Sequence, residues 1–264
     1  MNFSKKLDCG WAYSGSRLCV GLDPIINKMP RGFESAARPV LAFNRYIIDL
    51  VGDLACAFKP QFAHHAAIGA ESDLAETIAY IRLRCPHAVV ILDAKRGDIG
   101  STASLYAQEA FDRYDADAVT VNPYMGDETV LPFLERADRA AAVLCRTTNP
   151  DAGRFQHAMI GSDRLFEAVA KRAETHWNAL GNVMLVVGAT AIDDMAAARG
   201  AAPSLPFLVP GIGEQGGSAT QVMRAGLRAD GQGLVVSASR SILYAGDGEA
   251  IRRAAEDAHR DLCG

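Results

Sequence analysis

Long apolar runs, paired cysteines and an excess of positive charge are all missing from this 264-residue chain. No segment approaches the roughly 18 apolar residues that a membrane span needs, and residues 1–16 hold no apolar core of signal-peptide length. Lysine and arginine together number 27 against 31 aspartates and glutamates, which gives a net charge of −4. A nucleic-acid or anionic-membrane partner would require clustered basic residues, so neither is expected. We expect a cytoplasmic protein.

The six cysteines form no C-x-x-C pair and no Cys/His spacing of the zinc type. Cys19, Cys56 and Cys145 lie inside apolar runs, so we expect small buried side chains in a reducing compartment and no disulfides. His64 and His65 are adjacent and point in different directions. Loop packing or a backbone hydrogen bond explains them better than metal ligation does. The sequence therefore predicts no metal site.

Eight short apolar runs, each ending near Gly, Pro, Asp or Asn, predict eight β-strands. The runs are continuous rather than alternating, as expected for a parallel sheet that is covered on both faces. Stretches with helical periodicity separate them, and several begin at Ser or Asp, which favour helix starts. The predicted strands are 18–24, 55–61, 88–96, 118–124, 141–149, 182–190, 206–213 and 234–240. The predicted helices are 37–53, 72–85, 101–114, 127–138, 162–180, 191–199, 218–230 and 248–262.

This alternation of strands and helices favours a (β/α)8 TIM barrel of the α/β class, with a doubly wound open sheet as the alternative. The apolar fraction of 49% and the charged fraction of 22% are typical of a globular protein with a sizeable core. No low-complexity linker or change of composition divides the chain. We expect one domain over residues 1–264, with a short N-terminal helical extension at about residues 1–16.

Polar side chains lie at the ends of several predicted strands. In a parallel barrel these ends meet at one face, which is where such barrels have their active sites. Any one of these residues could be a solvated loop residue, but their convergence from independent strands favours a functional site. The residues are Asp23, Lys59, Asp93, Lys95, Asn122, Thr147, Thr148 and Arg240.

The stretch ILDAKRGDIGST, residues 91–102, concentrates charge at the end of the third predicted strand. Alternation along a strand puts Asp93 and Lys95 on one face, and Asp98 follows after a turn. Two nearby carboxylates favour the protonated ammonium of Lys95, which argues against a Schiff-base role. A cationic lysine can instead stabilise a developing carbanion and protonate it. A structural ion-pair ladder is the alternative, but Lys59 on the neighbouring strand makes the charge chain too costly for stability alone.

A glycine-rich segment, VPGIGEQGGSATQ at 209–221, follows the seventh predicted strand, and SASR at 237–240 ends the eighth. Its glycines let the backbone approach a ligand, and a helix starting near Ser218 offers N–H groups to an anion. Barrels commonly bind phosphate at these two loops, and Arg240 would add a bidentate donor. Turn formation alone could also explain the glycines, but their position favours a phosphate site.

Taken together, these segments resemble the orotidine 5′-phosphate decarboxylase family, in its longer bacterial branch. DAKRGDIGST at 93–102 is similar to the family's D-x-K-x-x-D-I-x-x-T signature. Further similarity comes, in order along residues 18–245, from LCVGLDP, AFKPQ, TVNPYMG, TTNP, PGIGEQGG and SRSILYA. The resemblance therefore covers nearly the whole chain.

The resemblance implies decarboxylation of orotidine 5′-monophosphate to UMP and CO2 in pyrimidine biosynthesis, without a metal or organic cofactor. Lys59, Asp93, Lys95 and Asp98 would form a charge tetrad. Within it, Lys95 would stabilise and protonate a carbanion at C6 of the pyrimidine. Asp98 and Thr102 would reach into the site of a partner subunit, so the resemblance also implies a homodimer with two composite sites.

The resemblance also implies which residues contact the substrate. Asp23 would bind the ribose, and Gln215 and Arg240 would bind the phosphate. Thr148 would hydrogen-bond the pyrimidine ring, and Asn122 at the end of the fourth strand is a further candidate for substrate binding. Family members more often carry serine at the position of Thr148, where threonine keeps the hydroxyl and adds a methyl group.

Two other functions fit parts of the pattern. A magnesium-dependent aldolase or β-keto-acid decarboxylase acting on a sugar phosphate shares D-x-K-x-x-D, but it would need further carboxylates where Lys59 and Asn122 stand. A catalytically silent phosphate-binding barrel, serving as a sensor or scaffold, is the third alternative. The intact Lys95 and Asp98 argue against it.

Overall fold

The fold is a closed barrel of eight parallel strands, seen in a computed structural model that describes residues 1–212 and 216–263. The strands pair in chain order, and the last pairs with the first, Leu18 lying opposite Val236. This closure confirms the predicted (β/α)8 barrel and excludes the open sheet. The barrel strands are β1 Leu18–Leu22, β2 Ala57–Pro60, β3 Val89–Arg96, β4 Ala118–Val121, β5 Ala140–Arg146, β8 Val183–Val187, β9 Phe207–Pro210 and β10 Leu234–Ala238.

Helices cover the outside of the barrel, and one helix precedes its first strand. A two-stranded antiparallel hairpin, β6 Met159–Ile160 with β7 Asp163–Arg164, lies in the connection after β5. The longer helices are α1 Phe3–Ser14, α2 Pro39–Val51, α4 Glu71–Arg84, α5 Gly100–Gln108, α8 Leu165–Arg172, α9 Ile192–Ala201, α10 Ala219–Gly226 and α12 Gly248–Asp261. The short ones are α3 Phe62–Ala66, α6 Asp127–Val130, α7 Gly153–Gln156 and α11 Arg240–Leu243. Single 3-10 turns occupy Ile26–Lys28 and Leu131–Phe133, and π-helical turns at Glu109–Arg113 and Ala173–Trp177 extend α5 and α8.

The predicted helix at 127–138 is the main difference between the sequence pattern and the fold. The structure has only α6 and then a 3-10 turn at Leu131–Phe133. Pro132 has no N–H to donate, so a longer helix cannot continue through it. Helices α3, α7 and α11 and the β6–β7 hairpin were not predicted, because segments of two to five residues are too short to show a period.

Side-chain alternation sorts the strand residues into two layers. Residues such as Leu18 and Val20 pack between the barrel and its helices, whereas Cys19 and Ile91 belong to the cluster inside the barrel. Helix α1 closes the lower end of this inner cluster, and its Trp11 Nε1 donates a 2.8 Å hydrogen bond to the Leu234 carbonyl. The lower barrel is therefore packed, and the polar side chains that continue the inward rows lie at the upper end.

The cysteines agree with the sequence prediction. Cys19, Cys56 and Cys145 are buried, and all six cysteines are free thiols. Burial raises the pKa of the Cys19 thiol to about 12, so it remains protonated and packs as a small apolar group. No helix in the described parts of the chain is both long and apolar enough to cross a membrane.

Candidate active site

Two adjoining cavities lie at the carboxyl ends of the strands, and Lys59 and Pro210 line both. The larger has a volume of about 560 Å³ and is lined by Lys59, Asp93, Lys95, Thr120, Leu144, Thr147, Thr148, Asn149, Pro150, Val186, Gly188, Thr190, Leu208 and Pro210. The smaller, of about 100 Å³, is lined by Asp23, Lys59, Pro210, Gly211, Ile212, Ser237, Ser239, Arg240 and Ser241. The structure thus brings together seven of the eight predicted strand-end residues, all except Asn122.

Asp93 is the centre of the charge array in the larger cavity. Lys95 Nζ lies 2.7 Å from its Oδ1, and Lys59 Nζ lies 3.0 Å from its Oδ2. Thr120 Oγ1 donates to Oδ1 at 2.9 Å, and Gln61 Nε2 donates to Oδ2 at 3.1 Å. Each carboxylate oxygen therefore accepts one bond from a cation and one from a neutral donor, which fixes the carboxylate in place.

The lysines determine the ionisation of this carboxylate. Burial would raise the pKa of Asp93, but the charges of Lys59 and Lys95 and their hydrogen bonds outweigh burial and hold that pKa well below its usual range. For Lys59, burial would lower the pKa, yet Asp93 and Asp23 together raise it above its usual range. Asp93 is therefore an anion, and Lys59 a cation, at neutral pH.

A break in strand regularity places Lys95 beside Asp93. Lys95 has a φ of 45°, and the pairing of β3 with β4 shifts between Leu92 and Arg96. The Lys95 backbone N–H donates to Thr120 Oγ1 at 2.8 Å, so Thr120 holds both the carboxylate and the irregular backbone. Half of the Lys95 side chain (50%) is exposed, and this residue lines the larger cavity. Its ammonium can reach a bound ligand.

Asp23 extends the charge array into the smaller cavity. Its Oδ1 lies 3.8 Å from Lys59 Nζ, too far for a hydrogen bond, and has no hydrogen-bond partner among residues 1–212 and 216–263. Its Oδ2 accepts a 2.6 Å bond from Ser239 Oγ. The order Asp23, Lys59, Asp93 and Lys95 runs from one cavity to the other with alternating charge.

The opposite wall of the larger cavity comes from the segment after β5. Thr147 N donates to Gln156 Oε1 at 2.9 Å, and Gln156 Nε2 donates to Thr147 Oγ1 at 2.8 Å. Thr148 lies against Gly188, where a Cβ would come within 2.9 Å of Thr148 Oγ1. The side chain of Gln156 therefore fixes the turn that presents Thr148 to the cavity.

The described residues of the two predicted phosphate loops lie beside the smaller cavity. Helix α10 begins at Ala219 with Ser218 as its N-cap, as the sequence predicted, and Arg240 lines the cavity at the start of α11. Gln215, the other predicted phosphate ligand, lies outside the described residues.

Three predicted residues do not line either cavity. Asn122 is exposed, and its Oδ1 accepts a 3.1 Å bond from the Tyr124 N–H. Asp98 Oδ1 accepts a 2.8 Å bond from the N–H of Ile99, and Thr102 is exposed on α5. Within one chain, Lys95 therefore pairs with Asp93, while the Asp98 carboxylate is turned to its own backbone.

The two histidines make the backbone hydrogen bonds that the sequence led us to expect. His64 Nδ1 lies 3.1 Å from the Pro24 carbonyl, and His65 Nδ1 lies 2.9 Å from the Gln61 carbonyl. Over residues 1–212 and 216–263, no group of three or more His, Cys, Asp or Glu is arranged to hold a metal ion. The donors around Asp93 leave its oxygens poorly suited to metal ligation.

Thr120, Gln61 and Ser239 also support the site, although the sequence pattern did not single them out. Thr120 follows Ala118 by two residues and so faces inward, which alternation could have revealed. Gln61 follows β2 and caps α3, its Oε1 accepting from Ala63 N at 3.2 Å, and a short helix gives no such signal. Ser239 meets Asp23 only because the barrel closes.

Comparison with known proteins gives a consistent result over nearly the whole chain. The family model described as "Orotidine 5′-phosphate decarboxylase / HUMPS family" matches residues 16–255. The orotidine 5′-phosphate decarboxylase of Cellvibrio japonicus (strain Ueda107) is 50% identical over 257 residues, which cover 97% of this chain and 94% of that protein. The enzyme of the same name from Dechloromonas aromatica (strain RCB) is 47% identical over 255 residues, with coverage of 97% and 94%.

Solved structures are similar as well. The Leishmania donovani OMP decarboxylase superposes with a TM-score of 0.85 at 40% identity, covering 97% of this chain and 95% of that one. The Leishmania donovani UMP synthase gives a TM-score of 0.88 at 40% identity, but its match covers 99% of this chain and only 56% of the longer chain.

Proposed function

Because this chain belongs to the orotidine 5′-phosphate decarboxylase / HUMPS family and is a carboxy-lyase of pyrimidine biosynthesis, we propose how its own residues carry out the decarboxylation of orotidine 5′-monophosphate. The observation that carries the proposal is the alternating array of Lys59, Asp93 and Lys95 in the larger cavity, with separations of 3.0 and 2.7 Å. The pyrimidine occupies this cavity, and the ribose phosphate extends into the smaller one.

Decarboxylation begins with the substrate carboxylate beside Asp93. Two like charges disfavour the bound ground state, which departure of neutral CO2 relieves. The C6–carboxylate bond breaks, its electron pair stays on C6, and the ammonium of Lys95 stabilises the resulting carbanion. Lys95 Nζ then transfers a proton to C6, which gives UMP, and solvent reprotonates the lysine. The reaction therefore exchanges CO2 for a proton at C6 and needs no oxidant or reductant.

Lys59 and Asp93 prepare this step by holding Lys95 and the substrate in place. Asp93 is anionic at neutral pH because its pKa is held low by both lysines, so the array is charged before the substrate binds. A charge array that is already ordered needs little reorganisation during the reaction. Thr120 supports both partners through its hydroxyl.

The remaining substrate contacts follow from the two cavities. Thr148 lines the larger cavity, where its hydroxyl hydrogen-bonds the pyrimidine ring. The Oδ1 of Asp23, which makes no hydrogen bond to any described residue, accepts a bond from a ribose hydroxyl, and Arg240 binds the phosphate together with Gln215. Asn122 is exposed and lines neither cavity, so it contributes only to a substrate that reaches beyond the cavity lining.

We propose that the enzyme is a homodimer in which Asp98 and Thr102 complete the partner's site. Neither residue lines either of the two active-site cavities of its own chain, and apolar side chains near them are exposed. Ile99 and Leu105 are 50% and 62% exposed, and Leu105 lines a groove of about 530 Å³ with Pro132. A second copy of the chain would cover these side chains.

The same chemistry fits a cytoplasmic enzyme that needs no metal or organic cofactor. Six free thiols fit a reducing cytoplasm. The proposed step uses only side chains, and the cationic donors on both oxygens of Asp93 argue against the magnesium-dependent alternative.

The test is the loss of orotate-ring absorbance when the purified protein meets orotidine 5′-monophosphate in excess EDTA. Wild type should react rapidly, and Lys95→Ala should lower kcat by about 10³-fold or more. Lys171→Ala is a matched control, because Lys171 also pairs with an aspartate, Asp163, at 2.6 Å and its side chain is 52% exposed. The control should keep wild-type activity.

Other outcomes would separate the alternatives. Activity that disappears in EDTA and returns with magnesium would favour the aldolase-like chemistry. Absence of turnover with normal binding of UMP to both wild type and Lys95→Ala would favour a silent phosphate-binding barrel.

A further inference from the structure

The segment that follows the last barrel strand holds Asp23 at two points. Ser239 Oγ donates a 2.6 Å hydrogen bond to Asp23 Oδ2. Tyr244 OH donates to the Asp23 backbone carbonyl at 2.8 Å and accepts from the Ile25 N–H at 2.7 Å. The side chain and the main chain of Asp23 are therefore both anchored to residues more than 200 positions away in sequence.

Barrel closure brings Ser239 to Asp23. Cys19 and Val20 of β1 lie opposite Ser237 and Ala238 of β10, so Ser239 follows opposite Gly21. A Cβ at Gly21 would lie 2.7 Å from the Ser239 Cβ. Glycine at this position is thus what lets Ser239 approach β1.

Ser239 and Tyr244 are themselves rigidly held. The Ser239 carbonyl accepts 2.9 Å bonds from the N–H groups of both Ile242 and Leu243 in α11. The Tyr244 ring stacks on Phe43 with a centroid separation of 6.1 Å and an interplanar angle of 8°. Burial raises the pKa of Tyr244 to about 12, so its hydroxyl keeps the proton that it donates. Both residues can impose a fixed geometry on Asp23.

The two hydrogen bonds leave one carboxylate oxygen for a ligand. Ser239 occupies Oδ2, while Oδ1 has no hydrogen-bond partner in the part of the chain that the structure describes and lies 3.8 Å from Lys59 Nζ. Without the Ser239 bond, the carboxylate could rotate and pair more closely with Lys59. We propose that Ser239 and Tyr244 are positioning residues that orient Asp23 toward the ribose of the substrate, an inference that rests on the proposed function.

The test compares Ser239→Ala on three substrates, orotidine 5′-monophosphate and its 2′-deoxy and 3′-deoxy counterparts. On the parent substrate we expect kcat/KM to fall about tenfold, mainly through KM, as for a lost bond to a charged group. On the deoxy substrate that lacks the hydroxyl bound by Asp23, the same substitution should lower kcat/KM by about threefold or less, because that substrate already lacks the interaction.

Ser204→Ala is the matched control, since Ser204 Oγ also donates a 2.6 Å bond to a carboxylate, Glu174 Oε1, far from the cavities. It should leave all three rates unchanged. An equal penalty for Ser239→Ala on all three substrates would overturn the inference, because that result fits a phosphate contact or general destabilisation. An unchanged kcat/KM of Ser239→Ala on orotidine 5′-monophosphate would also overturn the inference.

Tyr244→Phe repeats the comparison by removing the hydrogen bond to the Asp23 backbone carbonyl. It provides the test if Ser239→Ala does not fold. It should show the same dependence on the ribose hydroxyl, and a uniform loss would count against the inference. Failure of the proposed function has a separate signature, because wild type itself would then leave orotidine 5′-monophosphate unchanged.

Discussion

Lys95 Nζ lies 2.7 Å from Asp93 Oδ1 although the Lys95 backbone has a φ of 45°, a conformation that side-chain-bearing residues rarely adopt. The left-handed conformation costs about 1–2 kcal/mol for a residue with a Cβ. Thr120 stabilises it by accepting the Lys95 N–H at 2.8 Å. The site thus contains backbone strain at the residue that we assign as the proton donor.

Lys95→Gly should therefore be more stable than Lys95→Ala by about 1 kcal/mol, because glycine removes the Cβ strain and both variants lose the same ammonium. Both should be inactive. Urea denaturation of the two variants measures the difference. At Lys171, within α8, the order should be reversed, with the glycine variant less stable by about 1 kcal/mol. Equal stability of the two Lys95 variants would show that the backbone is not strained.

The buried ion pair of Asp93 with Lys59 should make stability depend on pH in a defined direction. The folded-state pKa of Asp93 is below its unfolded value of about 3.9, so its contribution is full above about pH 4 and is lost as pH falls further. The folded-state pKa of Lys59 is raised, so its contribution is full below about pH 10 and is lost as pH rises through the folded value.

Asp93→Asn should accordingly lower the free energy of unfolding by about 3 kcal/mol between about pH 5 and 9, because it leaves Lys59 buried without its nearest anion. The difference from wild type should shrink below about pH 4. Urea titrations across this range measure it. Asp53→Asn is the control, since the Asp53 side chain is 56% exposed in its pair with Arg252. This substitution should lower the free energy of unfolding by less than about 1 kcal/mol. A difference that grew with acid would contradict the assignment.

The strands and most of the charge array could be predicted from the sequence. Continuous apolar runs determine a covered parallel sheet, and parallel strands bring their carboxyl ends to one face. Asp23, Lys59 and Asp93 each follow an inward-facing row, so their convergence needs no knowledge of loop structure. Lys95 lies near these residues for a different reason. The predicted alternation assumes an extended backbone, whereas Lys95 has a positive φ in the structure.

The supporting hydrogen bonds could not be predicted, because they depend on register and closure. Thr120 reaches Asp93 across a shift in the pairing of β3 and β4, which no residue pattern marks. Ser239 and Asp23 are 216 residues apart and meet only when β10 pairs with β1. Asn122 is the polar residue at the end of the fourth predicted strand, but its side chain accepts a hydrogen bond from the Tyr124 N–H in the turn that follows.

Gly188→Ala should disturb ring binding by displacing Thr148. A Cβ at Gly188 would contact the Thr148 methyl and lie 2.9 Å from its Oγ1, and the Gly188 N–H is fixed by a 2.8 Å bond to the Arg146 carbonyl. We expect KM to rise about tenfold with a smaller change in kcat. Steady-state kinetics on orotidine 5′-monophosphate measures both values.

Thr148→Ser should recover part of this loss in the Gly188→Ala background, because it removes the methyl group and keeps the hydroxyl. Gly200→Ala is the control, since Gly200 lies in α9 and no atom of the described residues comes within 4 Å of an added Cβ, and it should leave KM unchanged. If the double variant were no better than Gly188→Ala alone, the Thr148 contact would not be the cause.

Mixing two inactive variants should restore activity if the active site is shared between subunits. Lys95→Ala removes the proton donor from its own cavity, whereas Asp98→Asn removes a carboxylate from the partner's cavity. In a mixed dimer one site then carries both changes and the other carries neither. Since random mixing makes half the dimers mixed, activity should return to about a quarter of the wild-type value.

The matched control mixes Lys95→Ala with Lys59→Ala, two changes that lie in the same chain's cavity, where both lysines contact Asp93. No mixed dimer then has an intact site, so no activity should return. Recovery is measured after joint refolding from urea, as decarboxylation per total subunit. If neither mixture gained activity, each chain would hold a complete site, and the exposed apolar side chains of Ile99 and Leu105 would need another explanation. If Asp98→Asn alone were fully active, Asp98 would have no part in the reaction, whatever the assembly.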